Sequence, residues 1–343
     1  MSRHHCRPID LALQGGGAHG AFTWGVLDRL LEDERLEITA ISGTSAGAMN
    51  AVVLAHGLAT GGRHEAKEAL ARFWSRVSQA SAMSQGLAGL FWDWAVPGSP
   101  LNWYVDWLTR TWSPAQLNPL DLNPLRDILA EEVDFERLRA HCAPRVFVSA
   151  THVQSGQLRE FRHEELTVDA VMASACLPLL FKAVEIDGQA YWDGGYVANP
   201  SLLPLVTEST CSDLVLVQIN PACRKDVPTS AHDILDRINE ITFNSALVKE
   251  LRTIGLLQQL IKAEGLPKGS GPGSLFGQIA NLRLHRIDAQ EELAELGAAS
   301  KINAAWSLIN RLHRIGRETT DRWLLHHCPQ IGRKSTLSLQ DFV

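Results

Sequence analysis

Apolar residues alternate with others from Ile9 through Leu11 to Leu13, and the alternation stops at Gln14 and three successive glycines. A period of two over a short run predicts a strand with one face on a core. Apolar residues then recur at Phe22, Val26, Leu27, Leu30 and Leu31, the spacing of one helical face. LEITAIS, 36–42, predicts a second strand, and the alanine-rich AGAMNAVVLAHGLA, 46–59, a second helix. Residues 64–79 predict a third, amphipathic helix. Strand and helix alternating in this way predict an α/β fold: a mostly parallel central sheet with helices on its faces.

Residues 80–125 break the pattern. They hold Phe91, Trp92, Trp94, Trp103, Tyr104, Trp107 and Trp112 among Pro97, Pro100 and Pro114, and predict an aromatic-rich insertion over the sheet edge. Two readings of these rings stand side by side: a small satellite core, or a surface that rests on lipid. Regular structure resumes with strands at RVFVSATHV, 145–153, and GQLREFRH, 156–163, and a helix at VDAVMASA, 168–175. A hairpin follows around Asp187-Gly188, then YWDGGYVANP, 191–200, and the continuous apolar strand DLVLVQINP, 213–221. A long helical region covers 229–265, a glycine- and proline-rich link 265–274, a last strand RLHRID, 283–288, and helices run on to Leu325. One domain over 9–325 and a loosely ordered tail over 329–343 are expected.

Composition narrows the function classes. A net charge of −6 supplies no general basic field, so nucleic acid is not an expected partner. The six cysteines have no C-x-x-C spacing, which argues against a disulfide framework or zinc site and for free thiols in a reducing compartment. HHC occurs at 4–6 and 326–328, but adjacent ligands make poor chelates, so no metal is expected. No apolar signal core follows the first residues and no apolar run is long enough to span a bilayer. The expected location is the cytoplasm, with at most peripheral membrane contact.

The chemistry is concentrated in Gly43-Thr44-Ser45-Ala46-Gly47, a G-x-S-x-G at a predicted strand-to-helix turn. A serine there has a strained backbone, and the residues two before and two after crowd each other unless both are glycine. Its Oγ is presented at the positive end of a helix, where charge building on an attacked carbonyl oxygen is favoured. Gly15, Gly17 and Gly20 also spell G-x-G-x-x-G after a strand, the fingerprint of a dinucleotide site. A dinucleotide fold wants a carboxylate at the end of the second strand. That strand ends at Ile41-Ser42-Gly43 and delivers the serine turn instead, so the loop reads better as an oxyanion hole using Gly16 and Gly17. A base is needed, and Asp193, followed by two glycines that allow a tight turn exposing its carboxylate, is the candidate. His152 and His163, near strand ends, read as polar edge residues, and Ser174 and Pro178 as shaping a loop beneath the site.

GGGAHG, GTSAG and DGG, in that order, together with THVQSG, ASACLPLLF and LVLVQINP, resemble the patatin-like phospholipases. The resemblance covers most of 9–325 and implies a three-layer α/β/α domain that hydrolyses acyl esters of lipids. It implies a Ser-Asp dyad without histidine, mapped to Ser45 and Asp193. The oxyanion motif maps to Gly15, Gly16, Gly17, Gly20 and Ala46, with Gly43 and Gly47 flanking the elbow. The family's glycine loop carries Arg or Lys where this chain has His19. No cofactor is implied. A polyhydroxyalkanoate-type esterase and a non-catalytic lipid-binding protein are the alternatives. Against the second, a retired site has no reason to keep a strained elbow.

Overall fold

The structure, a computed structural model, describes residues 6–92, 123–142, 144–178, 180–224, 226–264, 274–294 and 296–339. Most of the aromatic segment and nearly all of the link at 265–274 lie outside them. The chain runs β1 (Arg7–Leu13), α1 (Gly20–Leu31), β2 (Leu36–Gly43) and α2 (Ala46–Trp92). The second and third predicted helices are arms of α2, which breaks where Gly61 and Gly62 leave helical backbone angles. Then come α3 (Pro124–Glu132), α4 (Phe135–Ala140), β3 (Arg145–His152), β4 (Leu158–Phe161) and α5 (Val168–Ser174). The chain continues through β5 (Val184–Ile186), β6 (Gln189–Asp193), α6 (Leu203–Glu208), β7 (Asp213–Gln218) and α7 (Ala231–Ala263). It closes with α8 (Leu275–Asn281), β8 (Arg283–Asp288), α9 (Gln290–Ala294) and α10 (Trp306–His326).

Helices α3 and α4 were not expected. Their start signals are present: a proline in the first turn of α3, and Asp134 accepting from the Glu136 and Arg137 amides to cap α4. They are short and follow directly on the aromatic break, where no extended periodicity marks them.

The sheet order is β5-β6-β3-β2-β1-β7-β8, with β4 also paired to β3. β3, β2, β1, β7 and β8 are parallel, and β4, β5 and β6 pair antiparallel. Side chains alternate between two cores. Leu11, Leu13, Val215 and Val217 face one that includes α1, α2, α5 and α10, while Ala12, Leu214 and Leu216 face another that includes α6, α7 and α8. Three layers follow, helices on both faces of the sheet, as the period-two strands predict.

One feature of the register positions the site. Val148 of β3 pairs with Gly43 of β2 on one edge and with Phe161 of β4 on the other. Ala150 pairs with Arg159 of β4 and with Asp193 of β6, so β6 lies along the same edge of β3 that β2 vacates. β2 runs parallel to β3 and β6 antiparallel, so their carboxyl ends converge.

On the far side, α10 crosses α1 at backbone contact. A Cβ on Gly25 would lie 2.0 Å from the His313 carbonyl oxygen, and one on Gly316 2.2 Å from that of Phe22. Around this crossing Asp28 binds Arg317 and His313.

The tail departs from expectation. Residues 329–339 are not loose: the Thr336 and Leu337 amides donate to the Leu284 carbonyl at 3.0 and 2.9 Å, and Leu337 is buried. β8 is an edge strand with unpaired backbone groups, and the tail supplies partners and an apolar anchor for it. Leu337→Ala is expected to lower stability by about 2–3 kcal/mol, seen as a reduced urea midpoint.

Candidate active site

Ser45 sits between β2 and α2 with φ 54, the left-handed region that disfavours a side chain. Strain of order 1–3 kcal/mol is held there by the surroundings. A Cβ on Gly43 would lie 2.7 Å from the Gly47 carbonyl, and one on Gly47 2.2 Å from the Leu13 carbonyl oxygen. The turn is therefore pressed against the end of β1. The Ser45 amide donates to Ser174 Oγ at 2.9 Å, so the last residue of α5 holds the elbow from below.

Asp193 ends β6 and is 1% exposed. Its amide donates to the Cys176 carbonyl at 2.8 Å, and its carbonyl accepts from Thr151 Oγ1 at 2.7 Å. Its carboxylate accepts from the Gly195 amide at 2.7 Å and interacts with the Ser45 side chain. The paired glycines do not expose this carboxylate, as the sequence suggested. A Cβ on Gly194 would meet the Ser149 carbonyl oxygen at 2.1 Å, so the glycine there allows close packing and the acid is enclosed. Burial raises the Asp193 pKa to about 6, opposed by the two hydrogen bonds. Two further bonds tie the acid-bearing segment to the elbow: Thr44 Oγ1 donates to the Ala198 carbonyl at 2.9 Å, and Ser42 Oγ to the Ser201 carbonyl at 2.6 Å.

The glycine loop divides. The Gly15 amide donates to Asn199 Oδ1 at 2.7 Å, and the Gly15 carbonyl accepts from Asn220 Nδ2 at 2.9 Å. Gly16 and Gly17 line a cavity together with Ser45, Ala46 and Asp193. Gly20 opens α1 beneath Ala46, with space for a Cβ only 2.7 Å from the Ala46 Cβ. Of the six glycines singled out, Gly16 and Gly17 reach the cavity wall, while Gly15, Gly20, Gly43 and Gly47 shape what stands behind it.

Asn199 and Asn220 escaped the sequence reading. Each precedes a proline, in VANP and QINP, and each is buried with its side-chain amide on a backbone group. Gln14 completes the brace: its Oε1 accepts from the Ile219 and Asn220 amides at 2.8 and 2.7 Å.

The cavity has a volume of about 450 Å³. Its walls are largely apolar, from Met49, Phe73, Trp74, Val77, Phe181 and Phe243, and no histidine is among its described lining residues. Leu180 and Ile302 line it and are also exposed. His163 is buried between the Val146 amide and the His141 carbonyl, and His152 bonds Ser155 and Gln189 at the surface. His19 is buried and lies 2.7 Å from Ser300 Oγ. Because that hydroxyl donates to the Gly297 carbonyl, His19 Nε2 is the donor to Ser300. Burial, and secondarily Lys301, lowers the His19 pKa to about 4, so the ring is neutral near pH 7. The one cation among the described lining residues is Lys301, whose ammonium donates to Asn220 Oδ1 at 2.7 Å and Asn239 Oδ1 at 3.1 Å.

Residues 11–206, more than half of the chain, match the family of patatin-like phospholipases. The chain belongs to the patatin-like phospholipase family. Family membership brings lipid acyl hydrolysis as the class of activity. The match spans the glycine loop, Ser45 and Asp193, and stops before Asn220, Asn239, Phe243 and Lys301. Among solved structures, the crystal structure of VipD from Legionella pneumophila is similar at 16% identity and a TM-score of 0.37, covering 91% of this chain and 67% of that one. No curated protein matches. Among the described residues no helix of this patatin-like chain is long and apolar enough to cross a membrane, and no cluster of three or more His, Cys, Asp or Glu could hold a metal ion.

The raised Asp193 pKa has a signed consequence. The folded state holds this proton more tightly than the unfolded state, so ionising Asp193 costs stability as pH rises from about 4 through about 6. Asp193→Asn is expected to equal the parent in thermal stability at pH 4 and to match or exceed it at pH 7.5. A variant less stable at pH 7.5 than at pH 4, relative to the parent, contradicts this.

Proposed function

We propose that the protein hydrolyses acyl esters of lipids with a Ser45–Asp193 dyad. The observation that carries the reading is a buried carboxylate beside a strained serine on the wall of an apolar cavity. An apolar cavity accepts an acyl chain by removing it from water, and the exposed Leu180 and Ile302 extend that character outward. A base works best when its pKa approaches the working pH. The burial of Asp193 moves it from 3.8 to about 6, in that direction.

Ser45 Oγ attacks the ester carbonyl carbon while Asp193 takes the hydroxyl proton. The oxyanion is held by the Gly16 and Gly17 amides and by that of Ala46, whose N–H at the start of α2 has no partner one turn earlier. Collapse breaks the bond to the alcohol oxygen, which leaves with the proton from Asp193. Water, losing its proton to Asp193, attacks the acyl-Ser45 carbonyl. The second collapse releases the carboxylic acid and returns the proton to Ser45 Oγ.

A fluorophosphonate is expected to label Ser45, and Ser45→Ala to lose both labelling and turnover on p-nitrophenyl esters. Asp193→Asn is expected to lower kcat by about a thousandfold or more. The parent's kcat/KM is expected to rise with pH through a single limb near 6, where Asp193 becomes ionised. His56→Gln, His152→Gln and His163→Gln are expected to keep most of the activity, with His19→Gln the most affected of the four. An adduct on a different serine, or a folded histidine variant as inactive as Asp193→Asn, overturns the dyad.

A further inference from the structure

The glycine loop is fastened to a segment from the C-terminal part of the chain. His19, within the loop, is neutral near pH 7 and is used as a hydrogen-bond donor to Ser300. The next residue after Ser300 is Lys301, which lines the cavity and whose carbonyl oxygen lies against Gly17. His19 thus fastens to the loop the segment that brings a cation.

Lys301 is held in place by neutral groups. Its ammonium donates to the side-chain oxygens of Asn220 and Asn239 and lies 5.7 Å from the centre of the Phe243 ring. Burial lowers the Lys301 pKa, and Glu240, the main group opposing that shift, is itself engaged by Arg224 and Arg237.

Asn220 carries the interaction onward. While its Oδ1 accepts from Lys301, its Nδ2 donates to the Gly15 carbonyl at 2.9 Å. That carbonyl and the Gly16 N–H belong to one peptide group. A donor placed on the oxygen draws electron density through the conjugated amide and makes the N–H at its other end a stronger donor. A cation on the far side of Asn220 polarises both links in the same sense.

We propose that Lys301 is a positioning residue for the oxyanion loop: through Asn220 it polarises the Gly15–Gly16 peptide, supplying from the C-terminal part of the chain the positive charge absent at His19. This rests on the reading of Gly16 as an oxyanion donor. Lys301 acts on the transition state, where charge develops on the carbonyl oxygen, and little on the neutral ground state.

The test uses the full-length protein and p-nitrophenyl butyrate, a short neutral ester with no anionic group for Lys301 to bind directly. Lys301→Met is expected to lower kcat about ten- to thirtyfold, less than the loss of an oxyanion donor itself, with KM changed less than about twofold. Fluorophosphonate labelling of Ser45 is expected to slow in parallel, and Lys301→Arg to recover most of both rates. Should Lys301→Met fail to fold, Lys301→Gln, which keeps a donor for Asn220 without the charge, takes its place with the same expectation. An unchanged kcat, a loss confined to KM, or a loss seen only with anionic phospholipid substrates overturns the proposal; the last assigns Lys301 to head-group binding. Ser45→Ala measured alongside separates the two levels. Activity surviving in Ser45→Ala overturns the dyad reading, whereas an inactive Ser45→Ala with a fully active Lys301→Met overturns only the role of Lys301.

Discussion

The site depends on one edge of β3 being shared by two strands that arrive from opposite directions. β2 pairs with it as far as Val148, and β6 takes over at Ala150. Any strand ending inside a sheet leaves unpaired backbone groups, and here the second strand removes that cost by continuing the ladder. The consequence is that Ser45, just past the end of β2, and Asp193, the last residue of β6, are brought together by main-chain hydrogen bonding. Their side chains meet because the ladder leaves them nowhere else to go, and the bonds from Ser42 and Thr44 to the segment after Asp193 lock the arrangement.

Electrostatics follow from this placement. A carboxylate at the end of a buried antiparallel strand is cut off from water, and burial outweighs its two hydrogen bonds to raise the pKa. The same interior leaves His19 neutral. Carboxylate and imidazole are shifted in opposite directions by a single cause, and both shifts disfavour charge. Lys301 is the one cation among the described lining residues; burial lowers its pKa too, and the cost of burying it is reduced by amide oxygens and an aromatic face.

The glycine loop itself is braced by side-chain amides, two of them far away in the sequence. Asn199 and Asn220 occupy the Gly15 amide and carbonyl, which a free loop would expose to water, and Gln14, next to the loop, holds the Ile219 and Asn220 amides. With these positions filled, the loop has few alternative conformations, and a rigid set of dipoles is what stabilises developing charge without reorganisation. The contact of α10 with α1 belongs to the same scheme, because it carries the preceding segment over the start of α1 where Gly17 lies.

Much of this was legible from local pattern. The described strands follow from period-two alternation, short apolar runs or the Asp187-Gly188 turn, and the elbow follows from glycines that sterics demand on either side of a strained serine. These are properties of a few consecutive residues, and sequence records them directly. The glycine loop and Asp193 were legible as motifs, though the enclosure of Asp193 was not, because Asp-Gly-Gly is written alike in an exposed hairpin and under a packed cavity. The break in α2 lies at Gly61 and Gly62 and the short α3 and α4 carry only local start signals, whereas the packed tail on β8 was set by partners distant in the chain. The contacts of Asn199, Asn220 and Lys301 were decided only in three dimensions: each touches a backbone atom or side chain many residues away, and no spacing in the sequence encodes a contact of that kind. Local sterics and periodicity are short-ranged and therefore readable in order; the charge and hydrogen bonds around the site are long-ranged, and the fold alone brings them together.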